Sequence, residues 1–329
     1  MSHDLSGGPE VLTRMAAVAV RALESYDLDG SQVTLLNVSE NATFRVDAGE
    51  FSAVLRVHRH GYHELAAIHS ELAWLDALRA DAGVRTPHVL PAAGGSRVVT
   101  VPDPGNPPRD CVLFELLPGT EPPEEQDFEE LGELTARMHQ HARRWVQPPG
   151  FTRFHWDFDA AFGPRARWGQ WREALGVGPA ERELLDRLER VLRDRLAGLG
   201  TDPSRYGLIH GDLRQANLLV DGGRTSVIDF DDCGFGWYSY DLAAALSFIE
   251  HRPQVPELID SWLRGYRRVA EPVDEAEIPT FILYRRLLLT AWIGSHSAAA
   301  IAGELGAGYT LGTCELAESY LGSHRVHPS

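Results

Sequence analysis

The sequence predicts an α+β chain of two lobes: a small, sheet-rich lobe followed by a larger, mainly helical one. The length of 329 residues is long for a single domain. Before residue 119, most apolar segments have strand character, and one prominent helix interrupts them. After it, apolar residues recur mainly at helical spacing. We therefore predict an N-terminal lobe at 1–118 and a C-terminal lobe at 119–329.

Strand signals dominate the first lobe. After a helical segment at 11–23, residues 32–47 (QVTLLNVSENATFRVD) have the pattern of a strand, a polar turn and a second strand. Residues 51–59 are again rich in β-forming residues. Between 64 and 80, apolar residues recur at steps of three and four, which predicts the prominent amphipathic helix. Further strands follow, the last at 111–117.

Helical signals dominate the second lobe. Residues 127–144 carry acidic side chains early and basic ones late, which complements a helix dipole. Residues 181–199 carry dense charge pairs at helical spacing. Short apolar strands at 208–220 and 226–232 interrupt this pattern, and from residue 241 onward the chain again has helical character.

Composition excludes some classes of function. The 47 acidic and 31 basic residues give a net charge of −16, which argues against a nucleic-acid partner. That charge suits a cationic small molecule, although acidity that serves only solubility explains it equally well. No apolar run reaches the length of a membrane helix, and no secretory signal is visible, so we expect a cytoplasmic protein. All the basic residues are arginine, so no step can use a lysine ammonium.

Polar side chains interrupt the apolar segment LIHGDLRQANLLV. A strand, a tight turn and a second strand, with Asp212 and Asn217 as turn residues, would explain them simply. The alternative is a catalytic loop. Asp229 ends the next apolar strand, and a pair of short strands would bring it beside Asn217. Two such oxygen ligands suit Mg²⁺, which completes its shell with phosphate and water. Asp212 would remain free to accept a proton.

This arrangement resembles the kinase pattern H-R-D-L-x-x-x-N followed by D-F-G. The segment HGDLRQAN is similar to the H-G-D-L-x-x-x-N loop of the aminoglycoside phosphotransferase and choline kinase superfamily. DFDDCGFGWYSYDLA resembles a branch of that superfamily with amicoumacin kinase and stress-response-type kinases. The resemblance covers nearly the whole chain. It implies a protein-kinase-like fold with a five-stranded antiparallel sheet and one key helix, and ATP in a cleft between two lobes.

The resemblance also implies roles for residues of the second lobe. Asp212 corresponds to the catalytic base, and Arg214 occupies the place of a cation that meets the γ-phosphate. Asn217 and Asp229 correspond to the ligands of Mg²⁺. Asp241 either braces the catalytic loop or caps its own helix.

In the first lobe, the family places a strand cation on the α- and β-phosphates and pairs it with a helix glutamate. The corresponding cation is Arg56, and its partner is Glu71, with Glu64 as the alternative. Val54 would pack on the adenine. Arginine is a planar fork and not a compact charge, so it is not a neutral replacement for the usual lysine. The simpler alternative is a surface arginine on a strand.

A glycine-rich phosphate loop is absent from this lobe. The turn between the first two strands offers Ser39 and Asn41 as nucleotide contacts, unless it is an ordinary turn. By resemblance, adenine would bond the carbonyl of Glu115 and the amide of Leu117. An ordinary buried strand ending before Pro118 is the alternative.

Acidic and aromatic residues of the second lobe are candidates for acceptor recognition: Asp157, Asp231, Asp232 and Trp237. Carboxylates concentrate cations, and aromatic faces attract ammonium groups. For the aromatic residues, the alternative is that they form the core of a helical lobe. Asp231 and Asp232 could instead tune the geometry of their loop.

Together these observations predict an ATP- and Mg²⁺-dependent kinase that phosphorylates a hydroxyl of a small molecule, such as an amine-bearing antibiotic or an amino alcohol. Three alternatives remain: a metabolic kinase of the homoserine or choline type, a stress-response-type protein Ser/Thr kinase, and a non-catalytic nucleotide-binding module. The intact base and metal ligands disfavour the last of these.

Overall fold

The structure is a computed structural model that describes residues 9–38, 41–123, 128–296 and 300–323. Its internal contacts divide the chain into two units. The first comprises the residues up to Glu121 together with Val146–Arg153 and Leu218–Asp231. The second comprises the remaining segments. The first unit thus includes two segments that the sequence prediction assigns to the second lobe.

The first unit contains an antiparallel sheet. Its strands are β1 (Gln32–Val38), β2 (Ala42–Ala48), β3 (Phe51–Val57), β4 (Val89–Leu90), β5 (Val99–Val101) and β6 (Arg109–Glu115). The order is β1-β2-β3-β6-β4, and β5 also pairs with β6. The sheet has six strands where five were expected, because the short strands β4 and β5 pair with different parts of β6.

Two helices belong to the first unit: α1 (Pro9–Leu23) and α2 (Leu65–Ala82). Apolar residues of α1 and of the sheet strands form one buried core. Four of the five leucine and isoleucine positions that define the spacing of α2, at 68, 72, 75 and 78, are buried, whereas Leu65 in its first turn is exposed. The helix ends at Gly83, whose left-handed backbone lets its N–H donate to the carbonyl of Leu78.

Four more strands follow in the chain: β7 (Tyr206–Ile209), β8 (Leu218–Asp221), β9 (Arg224–Val227) and β10 (Gly234–Trp237). β7 pairs with β10 in the second unit, and β8 pairs with β9 in the first. The β8–β9 hairpin is joined to its own unit by backbone hydrogen bonds. Val220 exchanges two with Thr120, and the Val227 N–H donates to the carbonyl of Arg85 over 2.8 Å. These bonds explain why the hairpin groups with the first unit.

The second unit is mainly helical. Its helices are α3 (Phe128–Ala142), α4 (Phe158–Phe162), α5 (Pro179–Leu199), α6 (Ser239–Ala245), α7 (Val255–Tyr266), α8 (Ile278–Ser295) and α9 (Ala300–Ser323), which is kinked at Gly306. Most residues of α8 are buried, so this helix is part of the unit's core. Within the described residues, no helix is both long enough and apolar enough to cross a bilayer.

Candidate active site

The loop between β7 and β8 holds most of the predicted catalytic residues. It begins at His210 and ends in a 3-10 turn at Gln215–Asn217. Gly211 has a left-handed φ of 82°, and a Cβ there would lie 2.4 Å from the carbonyl oxygen of Asp232. Any larger residue would therefore displace the loop.

Asp241 fixes the start of this loop from α6. Its carboxylate is fully buried and accepts the N–H groups of His210, at 3.0 Å, and of Gly211, at 2.8 Å. Burial alone would raise its pKa, but His139, His210 and the Gly211 amide outweigh this, so the pKa of Asp241 lies below its usual value. The carboxylate thus braces the predicted catalytic loop, in agreement with one of the two sequence interpretations.

A histidine and a tyrosine extend this brace into the helical core. The ring of His139 joins Asp241 through Nε2 and the Tyr266 hydroxyl through Nδ1, each at 3.0 Å. An ionised carboxylate only accepts hydrogen bonds, so Nε2 carries the proton and Nδ1 accepts from the tyrosine. Burial lowers the pKa of His139, which favours this neutral form. The sequence did not single out either residue.

The carboxylate of Asp212 is held on both oxygens. Oδ1 accepts a charge-assisted hydrogen bond from the guanidinium of Arg285 on α8. Oδ2 accepts from Asn217 Nδ2 at 2.9 Å and from Arg214 Nε at 3.2 Å. Burial would raise the pKa of this carboxyl, but the two arginines bring it below its usual value. Asp212 is therefore ionised at neutral pH and can accept a proton.

The hydrogen bonds of Asn217 also orient its amide. Nδ2 donates to both the backbone carbonyl and Oδ2 of Asp212, at 2.8 and 2.9 Å. These contacts assign the nitrogen and oxygen positions of the amide, and they direct Oδ1 away from Asp212. A carbonyl oxygen of this kind is a suitable ligand for a hard cation.

Asp229 follows the β8–β9 hairpin in the first unit. Leu218, which directly follows Asn217, pairs with Val227, two residues before Asp229. Asp229 has a left-handed φ of 59°, and 49% of its side chain is exposed. Aspartate tolerates this backbone better than most residues. A strained backbone that presents an exposed carboxylate is typical of a functional position.

Arg56 on β3 forms an ion pair with Glu71 on α2. Arg56 Nη2 lies 2.6 Å from Glu71 Oε1, and both side chains are buried. Burial alone would lower the pKa of the guanidinium. Glu71, Asp231 and Asp229 raise this pKa by more than burial lowers it, so the charge is retained. The alternative partner, Glu64, is exposed at the start of α2, and its backbone carbonyl accepts hydrogen bonds from that helix.

Asp231 belongs to a buried charge cluster in the first unit. Its Oδ1 lies 3.4 Å from His63 Nε2, 3.7 Å from His58 Nδ1 and 3.8 Å from Arg56 Nη1. Burial would raise its pKa, but these neighbours bring it well below its usual value. The Asp231 carboxylate is therefore buried and contacts charged or polar side chains of its own unit, so little of its surface is accessible to an acceptor.

The other acceptor candidates lie in the second unit. Trp237 is 5% exposed, and its indole N–H donates to the Gly200 carbonyl, so it is a core residue. Asp157 and Asp232 are half-buried. The indole of Trp156, the residue before Asp157, donates to the Asp232 carbonyl over 2.9 Å. Asp157 also caps α4 by accepting the Ala160 N–H.

The predicted nucleotide contacts lie on or beside the sheet. Ser39 lies outside the described residues, whereas Asn41 is buried, and its Oδ1 accepts the Arg59 N–H at 3.0 Å. Val54 is half-buried on β3 and pairs with Phe114. Glu115 is the last residue of β6, and its side chain and amide both bond the backbone of His88. Leu117 is half-buried two residues beyond the strand.

Comparison with known proteins identifies the family. Residues 33–276 match the sequence model of the phosphotransferase enzyme family. That span includes Arg56, the catalytic loop and Asp229. The chain belongs to the phosphotransferase enzyme family. Its predicted enzyme class, a kinase, is therefore confirmed, and so is the resemblance found in its motifs.

Individual relatives agree with this assignment. The microcompartment-associated aminopropanol kinase is 49% identical, with a TM-score of 0.87 over 94% of this chain and 98% of its own. Amicoumacin kinase of Bacillus subtilis strain 168 is 25% identical over 288 residues, which are 83% of this chain and 82% of that protein. A solved structure of an amicoumacin kinase in complex with AMP-PNP, Ca²⁺ and Ami is 22% identical, with a TM-score of 0.72 over 94% of each chain.

These relatives confirm the two-lobed, kinase-like α+β fold class that the sequence predicted. They also establish that this protein is a phosphotransferase of the small-molecule kinase type. The residue that motif analysis missed is Arg285, which lies 73 positions after Asp212. Its sequence signal is a charged pair, Arg285 and Arg286, inside an otherwise uncharged helix.

Proposed function

We propose that this phosphotransferase transfers the γ-phosphate of ATP, with Mg²⁺, to the hydroxyl of a small amino alcohol, and that an aminopropanol is its leading candidate acceptor, with 1-amino-2-propanol as the isomer for the test. One observation carries the choice of acceptor: the 49% identity with an aminopropanol kinase extends over 94% of this chain and 98% of that one. Amicoumacin kinase, at 25% identity, is a more distant relative.

The donor side of the reaction involves the first unit. Arg56, held by Glu71, would contact the α- and β-phosphates through its remaining N–H groups. Val54 and the backbone of Glu115 and Leu117 would hold the adenine. Asn41, which directly precedes β2, would contact the phosphates together with Ser39. The AMP-PNP in the amicoumacin kinase structure supports the use of an adenine nucleotide.

Asn217 and Asp229 would hold the metal ion. Both offer oxygen ligands, which suit Mg²⁺ better than a softer metal. No group of three or more histidine, cysteine or acidic residues that could hold a metal occurs in the described ranges. Two protein ligands are in keeping with an ion that takes the rest of its shell from phosphate and water. When bound, Mg²⁺ would neutralise charge on the phosphates.

Asp212 would act as the general base. The acceptor hydroxyl oxygen attacks the γ-phosphorus, its proton passes to Asp212 Oδ2, and the bond to the β,γ-bridging oxygen breaks to release ADP. Arg214 is bonded to the same Oδ2 at 3.2 Å, and 33% of its side chain is exposed. Its guanidinium can therefore turn toward the transferred phosphate. Oδ2 would then accept from Asn217 Nδ2 and from the acceptor hydroxyl.

The ammonium group of the acceptor would be held by Asp157 and Asp232. These are the two acceptor candidates in the second unit whose carboxylates are half-buried and not in the core. A carboxylate near the reacting centre would favour a protonated amine over a neutral alcohol of the same size. Asp231 and Trp237, which the sequence also suggested, are buried and have other partners.

A panel of acceptors tests this function. Full-length protein with ATP and Mg²⁺ would be given 1-amino-2-propanol, ethanolamine, choline, homoserine, amicoumacin and a protein substrate, with ADP release and product mass as readouts. We expect the highest kcat/KM for 1-amino-2-propanol. A methyl group in a fitted pocket should give it about a 10- to 200-fold advantage over ethanolamine. 1,2-Propanediol, which lacks the amine, is the matched control.

The alternatives predict different outcomes from the same panel. An antibiotic kinase, favoured by the similarity to amicoumacin kinase, would phosphorylate amicoumacin in preference to every simple amino alcohol. A protein kinase would label only the protein substrate. A metabolic kinase of the homoserine or choline type would prefer homoserine or choline. ATP binding without turnover of any acceptor would favour the non-catalytic module.

A further inference from the structure

Two neighbouring arginines, Arg285 and Arg286, are buried in the middle of α8. They are 1% and 3% exposed, and no other residue of that helix is charged. A buried charge is strongly unfavourable unless it is paired and hydrogen-bonded. The contacts of the two guanidinium groups show what each stabilises.

Four hydrogen bonds fix the guanidinium of Arg285. Its Nη2 donates to Asp212 Oδ1. Its Nη1 donates to the Gly211 carbonyl at 3.2 Å and to the Tyr240 hydroxyl at 3.0 Å. Its Nε donates to Ser247 Oγ at 3.0 Å. The ring of Trp168 also lies 4.8 Å from the guanidinium carbon. The group therefore has one well-defined orientation, and Asp212 is its charged hydrogen-bond acceptor.

Arg286 has a different set of partners. Its Nη1 lies 2.6 Å from Glu250 Oε2, and its Nε donates to Thr313 Oγ1 at 3.0 Å. The Tyr309 ring lies 3.6 Å from its guanidinium carbon. Two of these residues lie on α9, so Arg286 joins α8 to that helix and does not contact the catalytic loop.

The chain segment after α6 supplies an acceptor to each arginine. Phe248 has a φ of 72°, which is rare for a bulky residue and strained. It lies between Ser247, which accepts from Arg285, and Glu250, which accepts from Arg286. The turn at Phe248 thus helps to fix the first arginine in the orientation that meets Asp212.

We propose that Arg285 is a positioning residue of the phosphoryl transfer: it holds Asp212 by Oδ1, so that Oδ2 is the oxygen that meets the acceptor hydroxyl. This proposal rests on the proposed role of Asp212 as base. Arg285 bonds both the side chain and the preceding carbonyl of the catalytic loop, at Gly211. Loss of the guanidinium would leave the carboxylate held through Oδ2 alone, by Asn217 and Arg214, so that it could shift. Misplacement by about 1 Å can cost roughly 100-fold in rate.

The test compares Arg285→Ala and Arg285→Lys with wild type in steady-state kinetics with the preferred acceptor. We expect kcat to fall about 100-fold in Arg285→Ala, whereas the KM for acceptor and the Kd for nucleotide remain near wild type, because the hydrogen bonds of Arg285 go to the base, its loop and core residues. Added guanidinium chloride should restore part of kcat in Arg285→Ala. Arg285→Lys should fall in between, because one ammonium cannot meet Asp212, Tyr240 and Ser247 together.

Arg286→Met is the matched control, because Arg286 is the adjacent buried arginine and does not touch Asp212. It should lower Tm and leave kcat of the folded protein near wild type. Wild-type kcat in folded Arg285→Ala, or an equal loss of kcat in Arg286→Met, would overturn the proposal. If Arg285→Ala does not fold, Arg285→Lys decides by the same kcat criterion. A wild type that phosphorylates no acceptor would remove the proposed function, and this proposal with it.

Discussion

Replacing Arg56 by lysine tests how this phosphotransferase holds its phosphate donor. Arg56 Nη2 lies 2.6 Å from Glu71 Oε1, while Nη1 lies 3.7 Å from Asp229 and 3.8 Å from Asp231. The guanidinium thus directs its two terminal nitrogens to different partners. A lysine ammonium is a single centre. If it keeps the bond to Glu71, it vacates the position of Nη1, from which a phosphate contact would be made.

The size of the effect follows from the loss of one charge-assisted contact. Such a hydrogen bond contributes about 1.5–3 kcal/mol, so Arg56→Lys should weaken nucleotide binding about 10- to 150-fold. Stability should change less, because a positive charge still faces Glu71. Arg56→Ala, in contrast, leaves Glu71 buried without its partner and should lower the free energy of unfolding by about 3–5 kcal/mol.

Titration calorimetry with MgATP measures the affinity, and thermal denaturation measures the stability. Arg59→Lys is the matched control, because Arg59 is a neighbouring arginine, and the structure gives its guanidinium a contact with the Tyr62 ring, at 5.9 Å. Wild-type affinity for MgATP in Arg56→Lys would refute the argument that nucleotide binding needs both terminal nitrogens of the guanidinium. Wild-type kinetics in Arg56→Ala, together with a loss in Arg59→Ala, would transfer the phosphate contact to Arg59.

Four further predictions concern single carboxylates. In Asp229→Asn, the asparagine tolerates the left-handed backbone but lacks the negative charge of the proposed metal ligand. Phosphoryl transfer should therefore nearly vanish while Tm stays unchanged, and retained turnover would remove Asp229 from the site. Asp212→Asn should bind ATP normally and lose roughly 100-fold or more in kcat, and an unchanged rate would show that it is not the base. Asp157→Asn and Asp232→Asn should each raise acceptor KM more than they lower kcat, and salt should raise the wild-type KM; a KM indifferent to both changes would contradict the ammonium contact. Because the folded-state pKa of Asp241 is lowered, its stabilisation is present above the unfolded-state pKa of about 3.9 and is lost as pH falls through the folded value. Asp241→Asn should therefore lower Tm at pH 7 and flatten its decline in acid, and an unchanged melting profile would argue against the brace.

Local patterns predicted the parts of the site that lie close together in the chain. The spacing of Asp212, Asn217 and Asp229 predicted a loop followed by a hairpin, and the structure contains both. The steps of three and four in α2 predicted its buried face, which carries Glu71. Periodicity and turn chemistry act over a few residues, so such features are visible in a single sequence.

Features that depend on distant pairing were not predictable in this way. Arg285 reaches Asp212 from a helix 73 residues further along the chain, and its neighbours in the sequence give no sign of that partner. The sequence suggested Asp231 as an acceptor contact or as a residue that tunes the loop, and it gave no sign that His58 and His63 lie 3.7 and 3.4 Å from this carboxylate in the first unit. The two-residue strand β4 is too short for any periodic pattern. In each case tertiary contacts outweigh the local signal.

The most direct test of the proposed reaction is the identity of the product formed from 1-amino-2-propanol. Full-length protein, ATP, Mg²⁺ and this amino alcohol would be followed by ³¹P NMR and mass spectrometry, with Asp212→Asn and a magnesium-free sample as controls. We predict a phosphate monoester on the hydroxyl, formed in equal amount to ADP and nearly absent from both controls. ADP formed without that ester, or an ester formed equally by Asp212→Asn, would contradict the account.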